Sequence, residues 1–239
     1  MDIFKKDTWL SRHLGKDCYH LPTDYEGSPE DVASVLSSLP SPFFMDAKTS
    51  TGNFRSIHLL EDLEFRLIDT NIRFSAETSS IPAVPSPPGF LVRWAEPDDE
   101  ERVGDLAGRC IERSRFHLDP LIPKETADEL KADWLRNFFH GKRGDRLALA
   151  FHGEEPVAFL QIILSEEAWI IDLVGCLPQF RGRRIGSAAI SFAARELRSF
   201  PKVLVGTQIV NDGSVRFYER LGFYFHSAQY VFHLHKDRR

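Results

Sequence analysis

A segment near the N-terminus of the chain is repeated near its C-terminus. Residues 44–74 align with residues 202–232 at a constant offset of 158 positions. The identical pairs along this alignment are Thr49 and Thr207, Asn53 and Asn211, Ser56 and Ser214, Glu61 and Glu219, Leu63 and Leu221, Phe65 and Phe223, and Phe74 and Phe232. In both copies the pattern predicts a strand, a helix and then a pair of strands. Chance similarity is one interpretation, and internal duplication of half a fold is the other.

A proline-rich break separates the two copies. Residues 79–89 contain four prolines, which remove amide donors and favour extended backbone. The break divides the chain into an N-terminal half-unit, residues 1–78, a linker, residues 79–89, and a larger C-terminal unit, residues 90–239. The charge changes there as well: residues 1–88 hold 8 basic and 13 acidic side chains, whereas the remainder holds 22 of each.

The composition excludes several classes of protein. Of the 239 residues, 42% are apolar and 27% are charged, which excludes a disordered chain, a coiled coil and collagen. No apolar stretch reaches the roughly 18 residues that span a bilayer, and residues 1–15 lack a signal-peptide core, so we expect a cytoplasmic protein without a membrane partner. The net charge of −5 gives no general attraction to nucleic acid. Three widely spaced cysteines favour neither a disulfide framework nor a thiolate zinc site.

The C-terminal unit is predicted to be a mixed α/β fold. Strands are expected at residues 90–94, 147–151, 157–164, 168–177 and 203–207, with a pair of strands over residues 223–234. Helices are expected at residues 97–112, 125–140, 187–198 and 213–220.

An Arg- and Gly-rich turn connects one of these strands to a helix. The turn consists of Arg181, Gly182, Arg183, Arg184, Ile185, Gly186 and Ser187, and the strand before it ends in Val174, Gly175 and Cys176. Consecutive backbone amides and the positive end of a helix point to one position in such a turn. The sequence therefore predicts a site for a phosphate or pyrophosphate. Neither GxxxxGK[ST] nor GxGxxG is present, which disfavours a nucleoside triphosphate or a dinucleotide.

This turn resembles the pyrophosphate loop, [Q/R]xxGx[G/A], of the GNAT superfamily of acyl-CoA-dependent N-acyltransferases. Arg181 and Gly186 take the first and last positions, whereas Arg184 stands where the family has its first Gly. Residues 211–223, NDGSVRFYERLGF, resemble a second signature, an Asn followed by a Tyr and an LGF corner. The resemblance implies a GNAT fold with a mixed central sheet and a splayed strand pair, preceded by a half-GNAT unit. It also implies that the turn, Val174, Gly175, Cys176 and Asn211 bind acetyl-CoA.

A closer resemblance covers nearly the whole chain. Residues 9–15, the N-terminal half-repeat, the loop Ser114-Arg115-Phe116-His117, and Thr207-Gln208 before Asn211 are similar to bacterial TDP-fucosamine acetyltransferases. This resemblance implies a TDP-linked 4-amino-4,6-dideoxy sugar as the substrate, and a homodimer. Arg115, Phe116, His117 and Gln208 are then the expected substrate-binding residues. A loop packed by Phe116, with no role in binding, is the other interpretation of the same residues.

The resemblance also assigns the chemistry. Tyr218 is expected to protonate the leaving thiolate, because the family places a Tyr there. Leu60 occupies the equivalent position of the N-terminal copy, which is therefore expected to be structural. A backbone amide near Val174 to Cys176 is the expected donor to the thioester oxyanion. Ordered water is one route for the amine proton, and the unranked side-chain bases are Glu166, Glu167, Asp172, His117 and Asp119.

A metal site and two other functions complete the predictions. His233 and His235 alternate on one strand face, but no carboxylate or cysteine is spaced along the sequence to help them, so no metal is expected. A GNAT protein acting on a protein or small-molecule amine is one alternative, and a protein acceptor would favour an open, acidic groove. A non-catalytic acyl-CoA-binding sensor is the other.

Overall fold

The strands of both repeats lie in one mixed sheet in the computed structural model, which describes residues 3–25 and 27–237. The ten strands found in those residues are β1 (Lys5–Lys6), β2 (Asp17–Leu21), β3 (Phe43–Ser50), β4 (Arg66–Glu77), β5 (Phe90–Trp94), β6 (Arg146–His152), β7 (Glu155–Leu164), β8 (Ala168–Cys176), β9 (Lys202–Gln208) and β10 (Tyr224–Lys236). Their order across the sheet is β1-β2-β3-β10-β4-β9-β8-β7-β6-β5. β2 with β3 and β8 with β9 are parallel pairs, and the other neighbours are antiparallel.

Short helices connect these strands. They are α1 (Thr8–Leu14), α2 (Pro29–Ser38), α3 (Phe54–Asp62), α4 (Glu100–Val103), α5 (Leu106–Cys110), α6 (Arg115–Leu118), α7 (Lys124–Arg136), α8 (Ile185–Glu196) and α9 (Asp212–Arg220). Within the described ranges, no helix is long and apolar enough to cross a membrane.

The predicted helix over residues 97–112 is wrong. α4 and α5 replace it because Gly104 lies between them with φ +40, a conformation that interrupts a right-handed helix. The loop after α5 also contains α6, which the sequence pattern did not predict.

The repeated segments are confirmed as two copies of one half-fold. β3-α3-β4 and β9-α9-β10 have the same element order, and β4 pairs with β10 along most of its length. β4 also pairs with β9, and β10 also pairs with β3, so that the last strand of each copy lies beside the first strand of the other. The predicted strand pairs are wrong in both copies. Each is one long strand, since its antiparallel partner comes from the other copy instead of from a hairpin.

The packing joins the two units. The largest apolar cluster includes residues of β5–β9, α5 and α8, together with Phe74 and Ala76 of β4. The linker contributes as well: Ile81 and Val84 pack against this cluster, and the Val84 amide donates to Ser191 Oγ at 2.9 Å. A second cluster covers β2, β3 and α3 and includes Phe232 and Leu234 of β10. Burying apolar surface across the boundary holds the N-terminal half-unit against the C-terminal unit.

The sheet opens between β8 and β9. Their parallel pairing runs only from Ala168–Lys202 to Ile171–Val205, and the two strands separate beyond it. On the other side of β8, the register with β7 shifts between Gln161 and Ile162, which leaves Asp172 as an extra residue in β8. A β-bulge of this kind re-aims the strand after it. The splayed strand pair expected from the sequence is therefore present.

Candidate active site

A large cleft lies where β8 and β9 separate. Its volume is about 1410 Å³, more than the roughly 300–1,000 Å³ of a pocket for one small ligand. The cleft brings together most of the residues singled out from the sequence, which are Val174, Gly175, Cys176, Arg181, Gly182, Arg184, Ile185, Gly186, Ser187, Asn211, Tyr218, Arg115, Phe116 and Gln208. Arg183 and His117 are not among its lining residues. A cleft of this size has room for two substrates.

The start of α8 presents free backbone amides to the cleft. Ile185, Gly186 and Ser187 line the cleft in the first turn, where amides have no partner inside the helix. Among the described residues, no side chain caps this helix and no acidic residue lies in its first turn. The positive end of a twelve-residue helix is thus left open to an anion.

Arg184 occupies a strained position at this helix start. Its φ is +63, in the left-handed region where a Gly is unstrained. This is the position where the resembling loop carries its first Gly, so the turn keeps the backbone that the Gly allows although the residue has changed. The preceding Gly182 has φ +79, as the tight turn requires.

The three arginines of the turn have different surroundings. Arg181 donates from Nε to the Cys176 carbonyl at 3.2 Å and from Nη2 to the Cys110 carbonyl at 2.8 Å. Its guanidinium therefore ties the turn to the end of β8. Arg183 lies over the Phe180 ring at 5.5 Å and is not among the residues that line the cleft. Arg184 is exposed and lines the cleft, which makes it the arginine of the turn that is free to meet an anion.

The end of β8 offers an unpaired strand edge to the cleft. Val174 and Gly175 pair with Leu160 and Phe159 of β7, but pairing with β9 has ended at Ile171. Gly175 is required sterically, because a Cβ there would lie 2.7 Å from both Cys110 Cβ and the Phe159 ring. Backbone polar groups on the unpaired edge are available to a ligand in the splay.

Tyr218 lines the cleft from α9, on the side of β9. The residue is buried, and its ring packs against those of Phe74, Phe217 and Phe223. Burial raises the pKa of Tyr218 well above its usual value of 10, so the hydroxyl keeps its proton at neutral pH. Burial is the only influence on this pKa, and no protein group in the described residues hydrogen-bonds the hydroxyl, which leaves the proton free for a reactant.

Asn211 and Gln208 follow β9. Asn211 Oδ1 accepts from the Ser214 amide and caps α9, so the side-chain orientation is fixed. The residue lines the cleft together with Gln208. Both amide side chains are available to a substrate.

Of the three substrate-binding residues expected on α6, Arg115 and Phe116 line the cleft and His117 does not. Arg115 lines the cleft and donates to Asp46 Oδ2 of β3 at 2.6 Å, with His233 Nε2 at 3.3 Å. Phe116 also borders the cleft, but it is 1% exposed and belongs to the core around α1 and α7. His117 Nδ1 contacts Ser114 Oγ at 2.7 Å and its Nε2 contacts Asp128 at 3.0 Å, so this ring caps α6 instead of lining the cleft.

The candidate bases are mostly engaged elsewhere. Asp172 accepts from Trp134 Nε1 at 2.8 Å and from two nitrogens of Arg143 at 2.6 and 2.7 Å. Glu166 and Glu167 lie in the exposed turn before β8 and do not line the cleft. Asp119 is buried and bonded to two histidines.

The expectation that no carboxylate accompanies His233 and His235 is wrong. Asp119 Oδ2 lies 2.6 Å from His233 Nδ1 and 2.8 Å from His235 Nε2, and the candidate ligand atoms of the three residues lie within 4.8 Å of one another. Asp119 belongs to α6's loop, 114 positions from His233, so sequence spacing carried no signal of it. Burial lowers the pKa of His233 to about 4, and the neutral ring then donates to Asp119 and accepts from Arg115. Hydrogen bonds to Asp119 and Arg115 thus satisfy the polar atoms of His233 in this buried cluster.

Sequence reasoning missed several cations that line the same cleft. Lys131 of α7 is 7% exposed, and Lys48 of β3, Arg73 of β4 and Arg143 join it in the lining. One signal was available: Lys131 stands one helical turn after Ala127 and one before Leu135, on the buried face of α7. A lysine on an apolar helix face is rarely buried without a group of opposite charge, and no such group stands nearby in the sequence.

Comparison with known proteins agrees with this geometry. The family model "Acetyltransferase (GNAT) family" matches residues 111–223, a range that contains the end of β8, the turn, α8 and Tyr218. A spore coat polysaccharide biosynthesis protein, SpsD, of Bacillus subtilis is 30% identical over 151 residues, which are 62% of this chain and 52% of that protein. The chain spans about half the length of the curated relatives it matches.

Solved structures show the same fold at low sequence identity. A functionally unknown conserved protein from Staphylococcus epidermidis has a TM-score of 0.67 at 12% identity, covering 92% of this chain and 85% of that one. A tandem GNAT protein from the clavulanic acid biosynthesis pathway has a TM-score of 0.60 at 11% identity, covering 93% of this chain and 76% of that one. The match to a tandem protein extends over both units of this chain.

Proposed function

The chain has the fold of the GNAT superfamily of acetyltransferases, and from this premise we propose that it transfers the acetyl group of acetyl-CoA to an amino sugar. The proposed acceptor is the amine of a nucleotide-linked deoxy sugar of the TDP-4-amino-4,6-dideoxyhexose type. The observation that carries the proposal is the cleft of about 1410 Å³, which joins the open start of α8, the unpaired edge of β8 and the Tyr218 hydroxyl.

The residues of the cleft divide the work of such a transfer. The free amides of Ile185, Gly186 and Ser187 bind the pyrophosphate of acetyl-CoA at the positive end of α8. The unpaired edge of β8 around Val174 to Cys176 donates to the thioester oxygen, on which negative charge develops during the reaction. Holding both substrates in one cleft replaces a bimolecular encounter by a local step, and this contributes a large part of the rate gain.

The bond changes are those of direct acyl transfer. The amine nitrogen attacks the thioester carbon, a carbon–nitrogen bond forms, and the carbon–sulfur bond breaks. The Tyr218 hydroxyl gives its proton to the leaving sulfur, since a group that stays protonated at neutral pH is suited to a general acid. The ammonium loses one proton to water before the attack, because Asp172 is engaged by Arg143 and Trp134. The second proton, which the nitrogen loses as the amide forms, restores the Tyr218 hydroxyl.

Two observations support a sugar acceptor. The Bacillus subtilis relative is named for polysaccharide biosynthesis, and the N-terminal half-unit contributes basic residues to the lining of the cleft, on elements other than the turn and α8. Lys48 of β3 and Arg73 of β4 both lie there. The positive charge of these residues also disfavours a lysine-rich protein acceptor, for which an acidic groove is expected.

Free-thiol release from acetyl-CoA tests the proposal with a panel of amines. The panel holds TDP-4-amino-4,6-dideoxygalactose, its gluco epimer, the 3-amino isomer and a lysine peptide. Turnover with a TDP-amino sugar and not with the peptide is the expected result. Turnover with the peptide alone contradicts the sugar acceptor, and acetyl-CoA binding without thiol release from any amine favours a sensor.

A further inference from the structure

Five cationic side chains converge on the acceptor side of the cleft. They are Lys48 of β3, Arg73 of β4, Arg115 of α6, Lys131 of α7 and Arg143 after α7. We call this set the basic wall. The chain as a whole carries a net charge of −5, so the concentration of positive charge is local. All five side chains lie on elements other than the turn and α8, where the pyrophosphate of acetyl-CoA is placed.

Only part of the basic wall is neutralised by the protein. Arg115 pairs with Asp46 at 2.6 Å, and Arg143 forms a bidentate pair with Asp172. In the described residues, the ammonium groups of Lys48 and Lys131 form no ion pair or hydrogen bond. Asp46 acts on Lys48 and Asp172 on Lys131 from beyond ion-pair distance, and both carboxylates are already paired with arginines. The two lysines thus face the cleft without a directly bonded counter-ion.

Lys131 is the more buried of the two lysines. It is 7% exposed, and its Nζ lies 4.3 Å from the Trp134 ring and 5.6 Å from the Phe116 ring. Arg143 lies over the same Trp134 ring at 4.1 Å, so the ring has cations as neighbours at two positions. Cation–π contacts offset part of the cost of burying an ammonium, but they supply no opposite charge.

The electrostatics match this geometry. Burial, with repulsion from Arg115, lowers the pKa of Lys131 to about 7 and the pKa of Lys48 to about 8. Mutual repulsion among cations is a cost that a bound anion removes. A protein that keeps such lysines in a cleft with no directly paired carboxylate has a site prepared for an anion.

We propose that Lys48 and Lys131 bind the diphosphate of the acceptor, so that the basic wall is the anion subsite of the second substrate. This inference rests on the proposed nucleotide-sugar acceptor. A nucleoside diphosphate linked to a sugar carries two negative charges, which the two unpaired lysines neutralise. Arg115, held by Asp46 and His233, and the exposed Arg73 complete the contacts around the phosphates.

The subsite gives the N-terminal half-unit a role in binding. Lys48 and Arg73 come from its strands, and Asp46, two residues before Lys48, fixes the Arg115 guanidinium of the C-terminal unit. Burial alone would raise the pKa of Asp46, but Arg115 and His20 outweigh it and hold the pKa well below its usual range. Asp46 therefore stays charged and keeps Arg115 in place. Removal of the half-unit would remove much of the basic wall.

Calorimetric binding of TDP to protein saturated with CoA tests this subsite. Saturation with CoA blocks the anion site at α8, so that TDP reports on the remaining one. The variants are Lys48→Gln and Lys131→Gln, and the matched control is Lys142→Gln, an exposed lysine outside the cleft. We expect the Kd of TDP to rise about tenfold or more in each variant, because a charge-assisted hydrogen bond is lost, and to stay unchanged in the control. Lys131→Met, which keeps the packing against Trp134, replaces Lys131→Gln if that variant does not fold.

Three results separate failure of the subsite from failure of the proposed function. If TDP does not bind the CoA-saturated protein, or binds all variants equally, the subsite is overturned whatever the activity. If TDP binding depends on Lys48 and Lys131 but no amine of the panel releases thiol, the subsite stands and the proposed function fails. If a TDP-amino sugar is acetylated with the same KM by the wild type, by Lys48→Gln and by Lys131→Gln, the proposed function stands and the subsite fails.

Discussion

The two parallel strand pairs of the sheet are joined by helices that begin in opposite ways. α2 connects β2 to β3, and α8 connects β8 to β9. At the start of α2, Ser28 Oγ accepts from the amides of Glu30 and Asp31, and Pro29 has no amide to offer. At the start of α8, no side chain of the described residues caps the helix. The start of α2 is thus satisfied by side chains, whereas the start of α8 is left open.

The same contrast continues at the ends of β3 and β9. In the N-terminal half-unit, the carboxylate of Asp24, which precedes the repeated segment, accepts hydrogen bonds from Thr49 Oγ1, from Ser50 and from Asn53 Nδ2 of that segment. Their equivalents in the C-terminal copy are Thr207, Gln208 and Asn211, and all three line the cleft. The Asp24 carboxylate thus occupies the position beside β3 that corresponds to the position beside β9 where a ligand is proposed to bind. The two half-folds share an element order, but only the second borders the cleft at this position.

Tyr218 and Leu60, which occupy equivalent positions, give the largest expected difference between the copies. Tyr218→Phe should lower kcat of thiol release by about 10²–10⁴-fold, because the proton donor to the leaving sulfur is lost while the ring is kept. The Kd of CoA should stay within about twofold, and Leu60→Met in the N-terminal copy serves as the control. An unchanged kcat in Tyr218→Phe would remove Tyr218 from the chemistry.

A carboxylate in the first turn of α8, as in α2, should weaken the binding of acetyl-CoA. Ser187→Asp places a carboxylate in the first turn, where Glu30 and Asp31 lie in α2. We expect the Kd of acetyl-CoA to rise at least about tenfold through repulsion of its pyrophosphate. The folded state should gain about 0.3–1 kcal/mol, because a negative charge favours a helix start. Ser187→Asn is the neutral control, and equal affinity in Ser187→Asp and Ser187→Asn would place the pyrophosphate elsewhere.

Local sequence patterns predicted those structural elements that depend only on residues close together in the sequence. The strand–turn–helix at Arg181 to Ser187, the second repeat and most strands of the C-terminal unit follow from periodicity and from Gly and Pro positions, as the sheet confirms. The pairing of β4 with β9 and β10 did not follow, because partner choice is a property of the whole sheet. Asp119, 114 positions from His233, and Asp46, 69 positions from Arg115, were missed for the same reason.

The two copies also differ in charge at one position, where the buried Asp69 of the N-terminal copy corresponds to Ser227 of the C-terminal copy. Asp69 is 5% exposed, its carboxylate has no side-chain partner in the described residues, and burial raises its pKa to about 6. A pKa above the unfolded value of about 4 means that the folded state loses stability as the pH rises from 4 to 6. Asp69→Asn should remove this loss and raise the free energy of unfolding by about 2–3 kcal/mol at pH 8, with little effect at pH 4. Denaturant unfolding at both pH values measures it, and equal gains at both would contradict the charge origin.

Asp24 should show the opposite pH dependence. Burial raises its pKa, but hydrogen bonds from Ser50, Thr49 and Asn53 outweigh this and lower it below 3.8. The stability that these bonds provide is therefore present at neutral pH and is lost as the pH falls through the lowered pKa. Asp24→Asn should cost about 1–3 kcal/mol of unfolding free energy at pH 7, since donors lose their charged acceptor. The kcat of the acetyl transfer should not change, because Asp24 does not line the cleft, and a large fall in kcat would show that the Asp24 hydrogen bonds matter for turnover.

Arg184 offers the smallest and most informative change. Its φ of +63 costs about 1–2 kcal/mol for a residue with a Cβ, and Arg184→Gly removes that strain. A Gly also adds about 0.5–1 kcal/mol of entropy to the unfolded chain, so the net gain in stability should be about 1 kcal/mol or less. The affinity for acetyl-CoA separates the two roles of the residue. If the exposed guanidinium binds a phosphate, Arg184→Gly is more stable and binds acetyl-CoA more weakly, and Arg184→Lys retains the binding. If affinity is unchanged in Arg184→Gly, the backbone amides of α8 alone hold the pyrophosphate, and the arginine stands in a glycine position without contributing to binding.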